Sequence, residues 1–179
     1  MRTLIVSEFI SLDGVMESPD WTFEVVEMDE AAYEIKGREQ EEAGCLLLGR
    51  QSYDEFAPVW PTMDEFAEYN AMPKYVVSST LEDPEWNNTS VLRSLDEVAA
   101  LKESDEPGTI LVHASATLAQ GLAAAGLVDR YHLLVYPVVL GSGKRLFPTD
   151  NEGARQKLRL TEHATYGNGV QLNVLDVVR

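Results

Sequence analysis

Apolar positions along the chain fall into short runs rich in β-branched residues, separated by stretches in which they recur at helical spacing; this is the pattern of strands alternating with helices. Residues 3–10, through Leu4, Ile5, Val6, Phe9 and Ile10, are nearly continuous in apolar character and predict a buried strand. Residues 23–43 then place Val25, Val26, Met28, Ala32, Tyr33 and Ile35 on one side of a helix whose other side is acidic. Gly44 closes that helix, and residues 45–48 predict a second buried strand. A short helix over 51–56 precedes Pro58 and Pro61, and a third strand covers 74–78. After a turn rich in Pro and Asn, residues 91–92 predict a brief strand, and Ser94 with Glu97 is a capping-box pattern opening a helix to 102.

Residues 109–113 predict another buried strand, 115–125 an Ala- and Leu-rich helix capped by Ser115 and closed by Gly126, and 131–140 a long apolar strand. Two final strands, 158–166 and 170–178, flank Gly167-Asn168-Gly169, a hairpin signal. The order of elements predicts an α/β sandwich, one domain over 1–179, with a mostly parallel sheet and an antiparallel edge.

Charge narrows the classes of partner. The 179 residues hold 14 Lys+Arg against 30 Asp+Glu, a formal net charge of -16, which argues against nucleic acid as a partner. The imbalance is local: residues 16–106 carry 23 acids and 6 bases, whereas 107–179 carry 5 acids and 7 bases. An anionic ligand would therefore draw on cations from the second part or on an isolated one such as Arg50. The single Cys, Cys45, excludes an intramolecular disulfide and reads as a buried inert thiol in a reducing compartment. The apolar run over 4–15 is broken by Glu8 and Asp13 and lacks a signal peptide's core, and no stretch approaches the roughly 18 apolar residues of a membrane span. A cytoplasmic protein with no membrane partner is expected.

Several motifs suggest chemistry. Gly141-Ser142-Gly143-Lys144-Arg145 departs from the nucleoside-triphosphate loop, since Val138 stands at the first Gly position and Arg145 replaces the Ser or Thr, and it reads as a Gly-rich turn. His113, His132 and His163 share no ligand spacing, so no metal is expected; His132 and His163 read as hydrogen-bonded strand residues. His113 and Ser115 lack a nucleophile elbow. What remains is a set of small polar residues and one Arg just past the C-terminal ends of predicted strands: Gly49-Arg50, Ser78-Ser79 and Ala114-Ser115. Open α/β sheets collect ligands there, where helix N-termini offer unpaired N–H groups to phosphates.

With these residues, Ser11-Leu12-Asp13-Gly14, the run Leu47 to Phe56, Tyr75 to Ser79, Gly126-Leu127-Val128-Asp129 and the stretch Pro137 to Phe147, the chain resembles the dihydrofolate reductase-like superfamily. It is most similar to the branch containing the C-terminal reductase domain of bifunctional riboflavin-biosynthesis proteins. The resemblance implies a three-layer sandwich around a mixed eight-stranded sheet, and a reductase that passes a hydride from NADPH to a pterin or a ribosylamino-pyrimidine. It implies cofactor contacts at Gly49, Arg50, Gln51 and Ser52, with Arg50 meeting the adenosine 2′-phosphate and Ser78 and Ser79 beside it. His113, Ala114, Ser115 and Ala116 fall where the family often has a Gly pair under the pyrophosphate, a pattern from which Ala114 departs. Asp13 is the catalytic candidate, though an Asp capping its own turn before Gly14 fits as well. Glu24, Glu27 and Asp29 are further carboxylate candidates, and Lys144 and Arg145 suit the phosphate of a small-molecule substrate. The resemblance also implies a homodimer. A ligand-binding or dimeric interaction protein that keeps the fold without catalysis is the alternative expectation.

Overall fold

Strand β1 (Leu4–Ser11) is buried along nearly its whole length, which an apolar strand achieves only with neighbours on both edges and layers on both faces. The structure, a computed structural model, describes residues 1–148 and 155–179. In it β1 lies inside an eight-stranded sheet with β2 (Ala43–Gly49), β3 (Lys74–Val77), β4 (Thr89–Leu92), β5 (Thr109–His113), β6 (Arg130–Tyr136), β7 (Lys157–Thr165) and β8 (Gln171–Val178). The strand order is β4-β3-β2-β5-β1-β6-β8-β7. Every pairing from β4 across to β6 is parallel, whereas β8 runs antiparallel to both β6 and β7. This is the expected mixed sheet with its C-terminal hairpin.

The helices are α1 (Thr22–Val25), α2 (Glu30–Glu42), α3 (Arg50–Phe56), α4 (Ala67–Ala71), α5 (Leu95–Glu103) and α6 (Ala116–Ala124). Val98 of α5 and Leu118 and Leu122 of α6 pack on the sheet face formed by Leu4, Val6 and Val112. On the opposite face Ile35 of α2 packs against Leu134, Leu172 and Val174. Alternation along β1 assigns Leu4 and Val6 to one core and Ile5 to the other. Cys45 is buried, as expected, and burial pushes its thiol up while Arg2 donates to Sγ at 3.3 Å.

Several elements depart from the sequence pattern. The single helix over 23–43 is two helices, because Asp29 adopts an extended conformation and its carboxylate caps the N–H of Ala31 at 3.1 Å. Strand β6 stops at Tyr136 rather than 140, since Pro137 has no N–H for the ladder. Residues beyond it still hold the β1 end, with Leu12 N–H donating to Val138 O at 2.8 Å. Ser94 caps α5 as expected, accepting from Glu97 N–H at 3.4 Å, and Glu97 accepts from Arg93 N–H at 2.8 Å. Ser115 occupies the N-cap position of α6, as expected, but its hydroxyl makes no capping hydrogen bond: its backbone is left-handed, and its hydroxyl is engaged elsewhere. His163 stands exposed on β7. Among the described residues no helix is long and apolar enough to cross a membrane.

Candidate functional site

The parallel strands β3, β2, β5 and β1 end on the same edge of the sheet, and the loops that leave them surround a cleft of about 460 Å³. One wall is the start of α3, Gly49 to Ser52; the other is the turn after β5 and the start of α6, Ala114 to Leu118. Met16, Glu17, Ser18 and Lys144 close the side nearest β1. Of the residues singled out in the sequence, the structure gathers Gly49, Arg50, Gln51, Ser52, Ala114, Ser115 and Lys144 around this space.

Ser115 joins the two walls. Its hydroxyl accepts from Gly49 N–H at 2.8 Å and donates to Ser52 Oγ at 2.7 Å. A Cβ on Gly49 would stand 3.2 Å from Ser115 Oγ and 3.3 Å from its Cβ, so glycine permits the close approach of β2 to α6. Ala114 and Ser115 have φ of 54° and 67°, both in the left-handed region that disfavours a Cβ. These two residues turn the chain sharply from β5 into α6, whose first-turn N–H groups lack intrahelical acceptors.

Arg50 is not an isolated cation. Its Nε donates to both carboxylate oxygens of Asp54 at 2.8 Å, one turn along α3, and a terminal nitrogen lies 3.5 Å from Thr80 Oγ1. Ser78 and Ser79 do not line the cleft: Ser78 is buried, its hydroxyl accepting from Thr80 and Leu81 N–H groups at 3.3 and 3.1 Å, and Ser79 is exposed. Their contribution is the turn that presents Thr80 to Arg50. Lys144 lines the same cleft, donating to Gln51 Oε1 at 3.4 Å with Glu17 3.8 Å away.

Asp13 and Arg145 together serve the loops beside the cleft. Asp13 accepts from Ser11 Oγ at 2.7 Å and from the N–H groups of Leu140 and Gly141 at 3.1 and 2.9 Å. The Ser11 hydroxyl above all, then the Leu140 amide, lowers its carboxyl to about 2. Arg145 donates to the Asp13 carbonyl at 3.0 Å and lies 3.4 Å from its carboxylate. The Gly-rich segment is therefore a turn wrapped around an aspartate, not an anion cradle, and Gly143 permits it because a Cβ there would meet Val15 at 2.7 Å. Asp13 lies outside the cleft lining and its oxygens are engaged.

On the α2 face of the sheet lies a row of ionisable groups that the sequence did not reveal. Ser7 of β1 is in register with His113 of β5 and His132 of β6, and Lys36 and Glu39 of α2 cover all three. Lys36 Nζ donates to Ser7 Oγ at 2.5 Å, Ser7 Oγ donates to Glu39 Oε1 at 2.6 Å, and His132 Nδ1 lies 2.7 Å from the same oxygen. Burial alone would raise the Glu39 carboxyl, but the Lys36 ammonium and the His132 hydrogen bond outweigh it and hold Glu39 well below the carboxylate range. Burial, reinforced by Lys36, lowers His113 from 6.5 to about 4, so its ring is neutral at pH 7. Its Nδ1 faces the Ser7 carbonyl at 3.3 Å and must carry the proton, leaving Nε2 to accept from Tyr69 OH at 3.1 Å. The signal was present only as strand alternation plus Lys36 and Glu39 at helical spacing; strand order was needed to bring it together.

Next to this row, Phe9, Tyr33, Tyr136 and Trp21 form a cluster of tilted and edge-on rings with centroids 5.4–5.9 Å apart. Lys36 Nζ lies 4.8 Å from the centre of the Phe9 ring. Tyr33 and Tyr136 also floor a second cavity of about 370 Å³, which Glu24 and Glu27 line. Asp29 does not join them, being the α2 cap and an acceptor for Gly167 N–H at 3.1 Å.

The fold is shared with reductases. A dihydrofolate reductase from Enterococcus faecalis, solved with NADP(H) and RAB-propyl, superposes with a TM-score of 0.67 over 99% of this chain and 97% of its own, at 13% identity. A putative riboflavin biosynthesis protein from Shewanella sp. PV-4 gives 0.76 over 99% of each chain at 18% identity. A pyrimidine reductase-like protein of Corynebacterium diphtheriae gives 0.69 over 99% of this chain and 92% of that one at 10% identity. Residues 2–172 match the RibD C-terminal domain, and the chain belongs to that family. At the level of sequence it is 28% identical to the uncharacterised protein YyaP of Bacillus subtilis, over 94% of this chain and 92% of that protein.

Proposed function

We propose that this protein is an NADPH-dependent reductase that transfers a hydride to a planar heterocycle, a pterin or a ribosylamino-pyrimidine of the 5-amino-6-(5-phosphoribosylamino)uracil type. The observation that carries the reading is the cleft across the C-terminal ends of β3, β2, β5 and β1, with Gly49 to Ser52 facing Ala114 to Leu118, in a chain of this family. NADPH, when bound, supplies the hydride; the protein's part is to hold and orient it. Asp54 occupies Nε of Arg50 and leaves its terminal N–H groups to fork onto the adenosine 2′-phosphate, with the Thr80 hydroxyl beside them. The first-turn N–H groups of α6, on the wall formed by Ala114 to Leu118, would hold the pyrophosphate. Ala114 is compatible with that role because its positive φ is already adopted and its Cβ is part of the turn. Tyr33 and Tyr136, which floor the second cavity and are backed by the tilted and edge-on rings of Phe9 and Trp21, offer apolar surface and hydroxyl groups to a heterocycle.

A cytoplasmic homodimer completes the proposal, and light scattering is expected to give twice the chain mass of 19.9 kDa. A non-catalytic binder is the second reading, favoured by Asp13, whose carboxylate oxygens are held by Ser11, Leu140 and Gly141 outside the cleft lining. Following the absorbance of NADPH with pterins, ribosylamino-pyrimidines and flavins separates the two. Turnover with one class supports the reductase, saturable binding without turnover supports the binder, and absence of dinucleotide binding contradicts both.

A further inference from the structure

Glu8 is the one buried polar side chain left incompletely satisfied among the described residues. It stands on β1, 5% exposed, and its Oε1 has no hydrogen-bond partner. Natural proteins rarely leave such an atom without a ligand, a water or a chemical task. Ser7 pairs with His113, so the next residue along β1, Glu8, stands beside Ala114, on the face of the sheet opposite the Ser7 side chain that Lys36 and Glu39 hold. Ala114 is itself a wall of the cleft, so Glu8 sits directly behind the turn on which the pyrophosphate would rest. Burial, opposed first by Lys36, raises its carboxyl well above the ordinary value of 4.5 and favours a neutral group that can both donate and accept.

Strand order fixes which end of a bound dinucleotide would reach it. Arg50 follows β2, Thr80 follows β3, Ala114 follows β5, and Glu8 lies on β1, the next strand along. From β3 to β1 is three inter-strand steps, about 14 Å. A dinucleotide anchored by its adenosine phosphate at β2 and β3 therefore carries its nicotinamide to β1. The substituent on that ring is a primary carboxamide, with N–H donors and a carbonyl acceptor, the complement of a buried carboxyl group.

Resting on the cofactor assignment proposed above, we infer that Glu8, behind the Ala114 wall of the cleft, recognises the nicotinamide carboxamide and is a specificity-determining residue. Its unpartnered oxygen is the group that the carboxamide completes. The role needs hydrogen-bonding capacity rather than charge, so glutamine replaces Glu8 and leucine does not.

The test is calorimetric binding of NADP+ and of its 3-acetylpyridine analogue, in which a methyl group replaces the amide nitrogen, to the full chain and to Glu8→Leu and Glu8→Gln. The wild type is expected to prefer NADP+ by about tenfold, the scale of one buried hydrogen bond. Glu8→Leu should bring that ratio close to one, and Glu8→Gln should keep it. Thermal melting checks the fold of Glu8→Leu, and Glu8→Met, which keeps the length of the side chain without its carboxyl, takes its place with the same expected ratio if that variant does not fold. Equal wild-type affinity for the two compounds, or a preference that survives in Glu8→Leu, overturns the assignment of Glu8 while leaving NADPH binding intact. A wild type that binds neither dinucleotide overturns the cofactor reading itself.

Discussion

Glu39 and Glu8 show how two carboxyl groups near the same ammonium are driven in opposite directions. Glu39 has Lys36 at 3.3 Å, Ser7 and His132 as partners and stays ionised, whereas burial dominates at Glu8. Replacing Glu39 by Ala strands Lys36 beside neutral groups, and urea denaturation should register a loss of about 3–5 kcal/mol, as for other broken buried pairs. The pH dependence separates the groups. A raised folded-state carboxyl contributes stability below 4.5 that is lost as pH rises through its folded value, so Glu8→Gln should stabilise the protein at pH 8 by about 1–3 kcal/mol and change little at pH 4. His113, lowered from 6.5 to about 4, acts in the other sense: its contribution is present above 6.5 and is lost as pH falls through about 4. Urea midpoints of Glu8→Gln that track the wild type at both pH values would contradict the buried, neutral Glu8.

At the scale of elements, the cleft depends on how closely β2 approaches the start of α6. Gly49→Ala places a methyl group 3.2–3.3 Å from Ser115, and the crowding should cost about 1–3 kcal/mol and weaken NADPH binding together, measured by melting and by titration. A variant with wild-type melting and binding would show that the junction yields freely. Much of this architecture was legible in the sequence, because strand runs, the Ser94 cap and the Gly167-Asn168-Gly169 turn are local signals. Gly49 to Ser52 and Ala114-Ser115 were legible for a related reason: each follows a strand end, where parallel sheets gather ligands. The break at Asp29 was hidden because the apolar spacing continues across it while a cap restarts the helix. The approach of Lys144 to Gln51 and the row of Ser7, His113 and His132 were not legible in the sequence, because both depend on which strands are neighbours and in what register.

The whole molecule carries a net charge of -16, with 23 acids and 6 bases between residues 16 and 106. Self-repulsion on that scale opposes the compact state, and salt shortens its reach from about 10 Å at 0.1 M to about 3 Å at 1 M. The melting temperature should therefore rise with sodium chloride over this range, and an unchanged or falling one would show that local ion pairs such as Arg50–Asp54 and Arg38–Glu162 outweigh the global field. The same acidity makes cofactor binding depend on a few fixed groups rather than on the surrounding potential. The decisive measurement is an equilibrium titration of the protein with NADPH and with NADH, followed by the fluorescence of the reduced nicotinamide, repeated on Arg50→Ala. Saturable binding that favours NADPH, with the preference lost in Arg50→Ala, is the predicted result; no binding of NADPH, or equal affinity for the two cofactors in both proteins, would contradict it.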